Sequence, residues 1–118
     1  MWERFYVTGQ NAMAAGRWAD AERDFKNALV HAEALGQEDH RLPLTLNNLA
    51  NCYRQQGRFE EAEPLYKRAL TVKTSQVGPV SYDLIPILEN YAKMLRGAGR
   101  DEEAEKMDYK ALVIFSRK

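Results

Sequence analysis

The sequence is poor in cysteine and proline and carries no excess of either charge. Its 118 residues include one cysteine, Cys52, which cannot form a disulfide within the chain and fits a reducing compartment. Seventeen basic and seventeen acidic side chains give a formal net charge of zero, which argues against a nucleic-acid or anionic-membrane partner. No apolar run is long enough to span a membrane, and no signal peptide is visible. We therefore expect a cytoplasmic location.

Motifs that carry catalysis are also missing. The sequence has no phosphate-binding glycine loop, no nucleophile elbow and no pair of cysteines at the spacing of metal ligands. The spacing of its two histidines, His31 and His40, does not indicate a metal site. Cys52 has no histidine near it in sequence, so a buried structural thiol is favoured over a nucleophile. The sequence predicts no enzyme activity, no cofactor and no bound metal.

One seven-residue pattern, by contrast, occurs three times. It reads GRWADAE from Gly16, GRFEEAE from Gly57 and GRDEEAE from Gly99, so the glycines recur at a nearly constant step of about 42 residues. An alanine–leucine pair follows each copy at the same step. The pairs are Ala28-Leu29, Ala69-Leu70 and Ala111-Leu112. Three copies in phase indicate a repeated structural unit that covers most of the chain.

The residues around each glycine predict a hairpin of two helices. Leu46, Leu49, Ala50 and Tyr53 lie at helical spacing on one face, and Gly57 then supplies a left-handed end for that helix. Acidic residues follow, where they suit the positive end of a second helix. The alanine within the pattern allows the two helix axes to approach closely.

One such hairpin cannot bury its own apolar faces, whereas stacked hairpins bury them on each other. The sequence therefore predicts an all-α solenoid of three stacked hairpins, a single domain over 1–118 with repeats at about 2–41, 42–81 and 82–118. The helices are expected at roughly 2–15, 18–35, 43–56, 59–75, 82–98 and 101–116. Pro43 and Pro86 fall in first turns, whereas Pro64 lies later and predicts a late start or a slight bend.

The middle copy resembles the tetratricopeptide repeat. The resemblance rests on LNNLANCYRQQG, from Leu46 to Gly57, and on FEEAEPLYKRAL, from Phe59 to Leu70. The usual repeat has about 34 residues, so a step of about 42 residues is similar to the long variant found in kinesin light chains and many bacterial proteins. The resemblance implies a right-handed solenoid that acts as a protein-interaction module and holds a peptide or protein segment in its concave groove.

The outer copies depart from this pattern. The first copy has Thr8 and Ala12 where the middle copy has Leu49 and Tyr53. The third copy has Asp108 where the other two have an aromatic residue. Terminal repeats of solenoids are often atypical, so these departures affect the expected local packing more than the expected fold.

In this family the first helix of each hairpin lines the concave groove, so the resemblance implies a set of candidate binding residues. They are Tyr6, Gln10 and Met13 in the first copy, Asn47, Asn48, Asn51, Arg54 and Gln55 in the second, and Glu89, Asn90, Lys93 and Arg96 in the third. Asparagine amides can both donate to and accept from a peptide backbone. Three cations against one carboxylate make the groove mildly basic, so an acidic segment or a terminal carboxylate is the expected ligand.

Two alternative roles for these residues remain open. The charged ones would also suit an ordinary solvated helix face. The asparagines lower helix propensity by about 0.5 kcal/mol each relative to alanine, so some compensating contact is expected. Asn48 and Asn90 recur one repeat step apart. A structural hydrogen bond repeated in each hairpin would therefore account for them as well as ligand binding does.

The last predicted helix favours a different function. Solenoids usually finish with a polar capping helix, but this one ends on apolar residues. The residues are Leu112, Val113, Ile114 and Phe115. They predict self-assembly into a homo-oligomer through the ends of the solenoid, with Trp2 and Phe5 as a matching surface at the other end. A capping helix that lies outside this sequence would account for the same apolar residues.

Overall fold

The structure is a computed structural model that describes residues 1–117, and these residues form six α-helices and no strand. The helices are α1 (Trp2–Ala14), α2 (Trp18–Leu35), α3 (Arg41–Gln55), α4 (Phe59–Val77), α5 (Ile85–Gly97) and α6 (Asp101–Ser116). They pair as the hairpins α1–α2, α3–α4 and α5–α6, which stack through α2–α3 and α4–α5 contacts. The predicted all-α stack of three hairpins is confirmed. The predicted end of the last repeat, at 118, lies outside the described residues.

Two prolines affect the helix ends in different ways. The segment Tyr82–Leu84 forms a 3₁₀ turn, so α5 begins at Ile85 and Pro86 falls in its first turn, where no N–H is needed. Of the two effects expected at Pro64, the late start is wrong, because α4 begins at Phe59 and runs through Pro64, whereas a slight bend stays a prediction. Both Pro64 and Glu60 are exposed at least in part, so water can reach the Glu60 carbonyl that loses its helical partner.

The turn inside each hairpin depends on a glycine in the left-handed region. The φ angles are 72° at Gly16, 73° at Gly57 and 77° at Gly99. Around the middle turn, the N–H of Arg58 donates to the Tyr53 carbonyl at 2.9 Å and closes the end of α3. The next helix begins directly after Arg58, so the left-handed glycine sets the reversal of direction.

Small residues permit the close contact within each hairpin. Ala21, Ala62 and Ala104, the alanines of the repeated pattern, are fully buried. Gly9 serves the same purpose on α1, because a Cβ built there would lie 2.7 Å from the ring of Phe25. The buried Phe25 ring leaves no space for a methyl group, so Gly9 is retained in the helix despite its low helix propensity.

The apolar core runs through all three hairpins. One cluster of buried residues includes Ala12 and Phe25 of the first hairpin, Tyr66 of the second and Leu95 of the third. Cys52 lies in the same cluster, with Sγ 3.4 Å from the carbonyl oxygen of the first residue of α2. Burial raises the pKa of the Cys52 thiol to about 11, so the group is a buried thiol, as the sequence analysis favoured.

A polar contact repeats at each junction between hairpins, and we call it the inter-hairpin bridge. At the first junction, Glu22 on α2 accepts a hydrogen bond from Arg58 at 2.7 Å and one from the Tyr53 hydroxyl at 3.4 Å. At the second, Glu63 on α4 accepts from Arg100 at 2.7 Å and from the hydroxyl of Tyr91, also at 2.7 Å. We call the first helix of each hairpin (α1, α3, α5) the inner helix and the second (α2, α4, α6) the outer helix. The bridge therefore joins an outer helix to the turn arginine and an inner-helix tyrosine of the next hairpin.

The turn glycine generates a first prediction. Gly57→Ala should lower the free energy of unfolding by about 1–2 kcal/mol, because an L-residue with a Cβ is strained at positive φ. No atom lies within 4 Å of a Cβ built there, so the loss comes from the backbone alone. Gly57→Asn is the matched control, since asparagine tolerates this region better and should lose less. Urea unfolding of the three proteins measures both values, and equal losses would contradict the backbone origin of the effect.

The inter-hairpin bridge generates a second prediction. A double-mutant cycle with Glu63→Gln and Arg100→Gln should show a favourable coupling free energy, larger than the same cycle on the exposed pair Asp20–Arg23. Arg100 holds the pKa of the Glu63 carboxyl below its usual range. The coupling is therefore present above pH about 4.5 and is lost as the pH falls through the lowered pKa. Unfolding by urea from pH 7 down to pH 3 tests both statements.

Candidate functional site

The candidate binding residues of the first two inner helices meet around Tyr6. The Asn48 Nδ2 group donates to the Tyr6 hydroxyl at 2.9 Å and to the Leu44 carbonyl at 3.0 Å. Gln10 donates to the same hydroxyl at 3.2 Å. The Tyr6 ring stacks on Trp2 with a centroid distance of 4.6 Å, and burial raises the pKa of the Tyr6 phenol. Tyr6, Gln10 and Asn48 thus form a hydrogen-bonded group between α1 and α3.

This hydrogen-bonded group bears on whether Asn48 has a structural role or a ligand-binding role. Its amide forms a helix-to-helix hydrogen bond, which is one of the alternatives that the sequence left standing. Asn90, the equivalent residue of α5, makes no such bond within residues 1–117, so the contact is not repeated in the third hairpin. Asn90 is half-buried and its amide remains available for another partner.

Asn51 and Arg54 are held by a tyrosine from the outer helix. The buried Tyr66 hydroxyl donates to Asn51 Oδ1 at 2.5 Å and accepts from Arg54 Nε at 3.1 Å. Tyr66 also stacks on Tyr91 of the next hairpin at 5.8 Å. Burial raises the pKa of Tyr66 to about 12, so the hydroxyl keeps its proton at neutral pH. Its hydrogen bond to Oδ1 orients the amide of Asn51, and the Nδ2 group of that amide has no partner among the described residues.

Asn47 lies in a pocket of about 320 Å³ between the second and third hairpins. Its Oδ1 atom is buried, and no donor reaches it within residues 1–117. Side chains of α3, α4, the 3₁₀ turn and α5, and the residue that precedes α3, complete the wall. They are His40, Pro43, Leu44, Lys73, Tyr82, Asp83, Pro86 and Ile87. Asn47 thus lines a pocket that is open to solvent, while its own amide oxygen is shielded from solvent and has no donor, and this combination makes the pocket the leading candidate for a ligand position.

The remaining candidates lie in different surroundings. Gln55 and Lys93 are exposed, and Met13 packs at the edge of the core. Arg96 forms an ion pair with Asp108 of α6. Glu89 lines a separate groove of about 230 Å³, formed with side chains of α6. The structure therefore brings Asn47 and Asn51 to one side of the junction between hairpins, and places Glu89 against the last helix.

Several residues of the Asn47 pocket were missed by the sequence analysis. Lys73 comes from the outer helix α4, and Tyr82 and Asp83 come from the connector before α5. Helical periodicity assigns faces within one helix, so it carries no information about a residue that another helix brings in. The one available signal was the segment from Ser81 to Pro86, where a helix start with Pro in its first turn follows the breaker Gly-Pro.

Comparison with known proteins decides the family. A family model described as "Tetratricopeptide repeat" matches residues 9–75, more than half of the chain. The chain belongs to the tetratricopeptide repeat family. A search of curated proteins gives no match. Repeats of this family generally mediate protein–protein interactions.

Solved structures show the same right-handed solenoid. Two crystal structures of nearly identical TPR-like repeats, assigned to a kinesin light chain of Podosopora anserina, superpose on this tetratricopeptide stack. The TM-scores are 0.83 and 0.82, at 17% and 16% sequence identity. The matches cover 96% and 99% of this chain but 54% and 57% of those chains. The chain therefore spans about half their length and shares their fold, including the long repeat that the sequence predicted.

Two further observations concern the described part of the tetratricopeptide stack. Among residues 1–117, no helix combines the length and the apolar character that crossing a bilayer requires. Within the same residues, no group of three or more His, Cys, Asp or Glu side chains is placed to hold a metal ion. The candidate site is thus built from amides, a buried phenol, a few cations and apolar side chains.

The buried phenol of the tetratricopeptide stack generates a third prediction. The raised pKa of Tyr66 means that its contribution to stability is present below pH about 10 and is lost as the pH rises towards about 12. Tyr66→Phe should therefore lose less stability than the wild type between pH 9 and pH 11.5. Tyr109→Phe, at an exposed position, is the matched control for loss of a hydroxyl. Urea unfolding at several pH values gives the slope of the free energy of unfolding against pH for each protein. A Tyr66→Phe slope equal to that of the wild type would contradict the raised pKa of Tyr66.

Proposed function

We propose that this tetratricopeptide stack binds an extended peptide or protein segment along its inner helices, with the Asn47 pocket as the principal contact. The observation that carries the proposal is the Asn47 Oδ1 atom, which is buried without a donor among residues 1–117. Leaving a buried acceptor unpaired costs about 1–3 kcal/mol. A rotation of the Asn47 side chain into the pocket would bring this atom to a backbone N–H of a bound segment, which would supply the missing donor.

The walls of the pocket indicate which kind of segment fits. Pro43, Leu44, Pro86 and Ile87 supply apolar surface, and their side chains would cover one apolar residue of the ligand. The Asn47 amide lies among them and can accept from the ligand backbone next to that residue. We therefore expect affinity for an extended segment with an aliphatic or aromatic side chain, rather than for a small polar molecule.

Further polar groups along α3 and α5 would extend the contact. The Asn51 Nδ2 group is already oriented by the Tyr66 hydroxyl and is available to a carbonyl of the ligand. Exposed Gln55 and Lys93 and half-buried Asn90 offer additional donors on the same helices. An amide held in place before binding loses little side-chain entropy when the ligand arrives, so Asn51 favours recognition of an extended backbone.

The expected preference for acidic ligands depends on three cations. Arg96 already pairs with Asp108, and Arg54 Nε already donates to Tyr66. Lys93 is exposed and makes no ion pair within residues 1–117. We therefore propose that apolar contact and backbone hydrogen bonds provide most of the affinity. An acidic residue or a terminal carboxylate near Lys93 would add a smaller, salt-dependent preference.

We propose a non-catalytic adaptor role in the cytoplasm for the binding stack. The one cysteine, Cys52, supports this proposal because its thiol is buried and its pKa is raised to about 11, which suits neither disulfide exchange nor nucleophilic attack. A protein that binds through amides and apolar surface needs no metal or cofactor for that purpose. Partner recognition then depends on the sequence of the bound segment.

The Asn47 pocket generates the fourth prediction. Asn47→Leu should lower affinity for selected peptides by about tenfold or more, because it removes the acceptor and fills part of the pocket. The same change should leave stability unchanged or raise it by about 1 kcal/mol, because it removes an unpaired buried acceptor and leucine is the better helix former. Peptides selected by the wild-type protein from a random display library are the probe, and fluorescence anisotropy measures binding.

The control for this experiment is Asn27→Leu, which places the same new side chain at an exposed position of α2 outside the pocket. It should bind the selected peptides with wild-type affinity. Opposite effects of Asn47→Leu on stability and on binding would mark a functional residue rather than a structural one. Retained peptide binding in the Asn47→Leu protein, with the fold intact, would refute the proposed site.

A further inference from the structure

A groove of about 420 Å³ lies between the outer helices α4 and α6, and we call it the outer groove. It shares no lining residue with the Asn47 pocket. Buried apolar side chains form its floor: Leu84, Leu88 and Ile114. Exposed aliphatic and aromatic side chains form its rim: Val80, Tyr109 and Val113. The outer groove is therefore a largely apolar surface that faces solvent.

The equivalent surface one repeat step earlier, between α2 and α4, has a polar rim. Its floor is again apolar, with buried Leu42, Leu46 and Val72 at the equivalent positions. At the rim, the repeat step leads from Val80, Tyr109 and Val113 back to Glu38, Lys67 and Thr71. All three of these polar residues are exposed. Because the first junction stacks with a polar rim, stacking of hairpins does not account for the apolar rim of the outer groove.

The first junction also has an ion pair between its outer helices, which the outer groove lacks. Arg68 on α4 lies 2.8 Å from Glu33 on α2. One repeat step later, the position of Arg68 holds Lys110 and the position of Glu33 holds Thr74. Lys110 is exposed and makes no ion pair within residues 1–117. Among the described residues that line the outer groove it is the one charged side chain, so the groove keeps the cation of this pair without the carboxylate.

A further hairpin stacked on the third in the same geometry would leave this rim exposed. The third hairpin stacks on α4 in that way, and Lys67 and Thr71 of α4 remain exposed beside it. These two positions correspond to Tyr109 and Val113 of α6. The outer groove is therefore open to an occupant whether or not another hairpin follows.

We propose that the outer groove binds an amphipathic helix of a partner protein, which places aliphatic side chains between α4 and α6 and a carboxylate beside Lys110. The apolar rim and floor supply contact area for the aliphatic side chains. The carboxylate would pair with Lys110 as Glu33 pairs with Arg68, so charge complementarity selects an acidic rather than a basic partner helix. The inference goes beyond the proposed function, because it uses the outer helices and does not depend on the Asn47 pocket.

The polar content of the outer groove favours a helix over an extended segment. Among the lining side chains, only those of Thr74, Tyr109 and Lys110 are polar. An extended backbone laid there would lose water from its N–H and C=O groups and gain few partners. A helix satisfies its own backbone groups and presents aliphatic side chains three or four residues apart along one face. The outer groove and the amide-rich inner helices would therefore take ligands of different conformation.

Helix-stabilised peptides from a display library with randomised side chains are the probe, and the wild-type protein is the bait. Peptides that lose affinity for the Asn47→Leu protein bind at the other site and are set aside, so failure of one site is distinguishable from failure of the other. The remaining peptides should carry aliphatic residues three or four positions apart and an aspartate or glutamate about one turn away. Fluorescence anisotropy measures their affinity for the wild type and its variants.

Charge reversal at Lys110 tests the carboxylate contact. Lys110→Glu should weaken binding of these peptides by about tenfold or more, because like charges then meet. Changing the acidic residue of the peptide to lysine should restore binding to the Lys110→Glu protein, which a loss of folding could not produce. Lys106→Glu is the matched control, because it makes the same change one turn earlier on α6, outside the outer groove. It should alter affinity by about threefold at most.

A second variant supplies the missing carboxylate within the chain. Thr74→Glu places an acidic side chain at the position that Glu33 occupies at the first junction, so it should pair with Lys110 and weaken peptide binding by about tenfold. Thr74→Gln adds a side chain of the same size without the charge. It should change affinity by about threefold at most.

Four results would overturn the proposal. Selected peptides without an acidic residue, or with equal affinity for the wild type and Lys110→Glu, would exclude the carboxylate contact. Absence of any binder at this groove would exclude a helical ligand, and Lys110-dependent binding of decanoate would then assign the groove to a small amphipathic acid. Self-association in light scattering that Lys110→Glu abolishes would make a second copy of this chain the occupant.

Discussion

Each hairpin of this chain exposes apolar surface that only a neighbouring hairpin can cover, and the architecture follows from this constraint. Within a hairpin, Ala21, Ala62 and Ala104 allow the two helices to approach closely. Between hairpins, the core passes from Phe25 through Tyr66 to the third pair of helices without interruption. Because burial of this surface requires a neighbour, the stability of each hairpin depends on the hairpin stacked against it.

The same stacking creates the candidate binding site. Placing α3 beside α5 leaves a pocket between them, and the Asn47 amide lies in it with an oxygen that no donor reaches within residues 1–117. A side chain selected only for packing would be apolar at this position, since that choice would remove the unpaired acceptor and improve helix propensity. In the proposed function, the Asn47 amide links the physical chemistry of the pocket to recognition of another protein, and protein–protein interaction is the general role of the tetratricopeptide family.

The helices could be predicted from the sequence because their signals are local. The repeated glycines and the apolar spacing on each side gave boundaries within about three residues of those observed. At Pro64 a late start or a slight bend was expected, and the late start was wrong, since the buried residues Ala62 and Tyr66 on both sides of Pro64 stabilise the helix. The candidate site residues lie on α1, α3 and α5, but several of their hydrogen-bond partners come from other helices. Tyr66 of the outer helix orients Asn51, for example, and this pairing leaves no trace in the periodicity of α3.

The sequence by itself determined the elements, the order of the hairpins and the family, because glycine conformation, helical periodicity and the repeat step are all readable along the chain. The tertiary structure alone decided which side-chain amides form hydrogen bonds within the molecule. The Asn48 amide donates a hydrogen bond to Tyr6 of a neighbouring helix. Asn47, next to it in sequence, has a buried oxygen with no donor within residues 1–117. The physical reason is that a hydrogen bond requires atoms about 3 Å apart, and such distances between helices depend on how the hairpins stack.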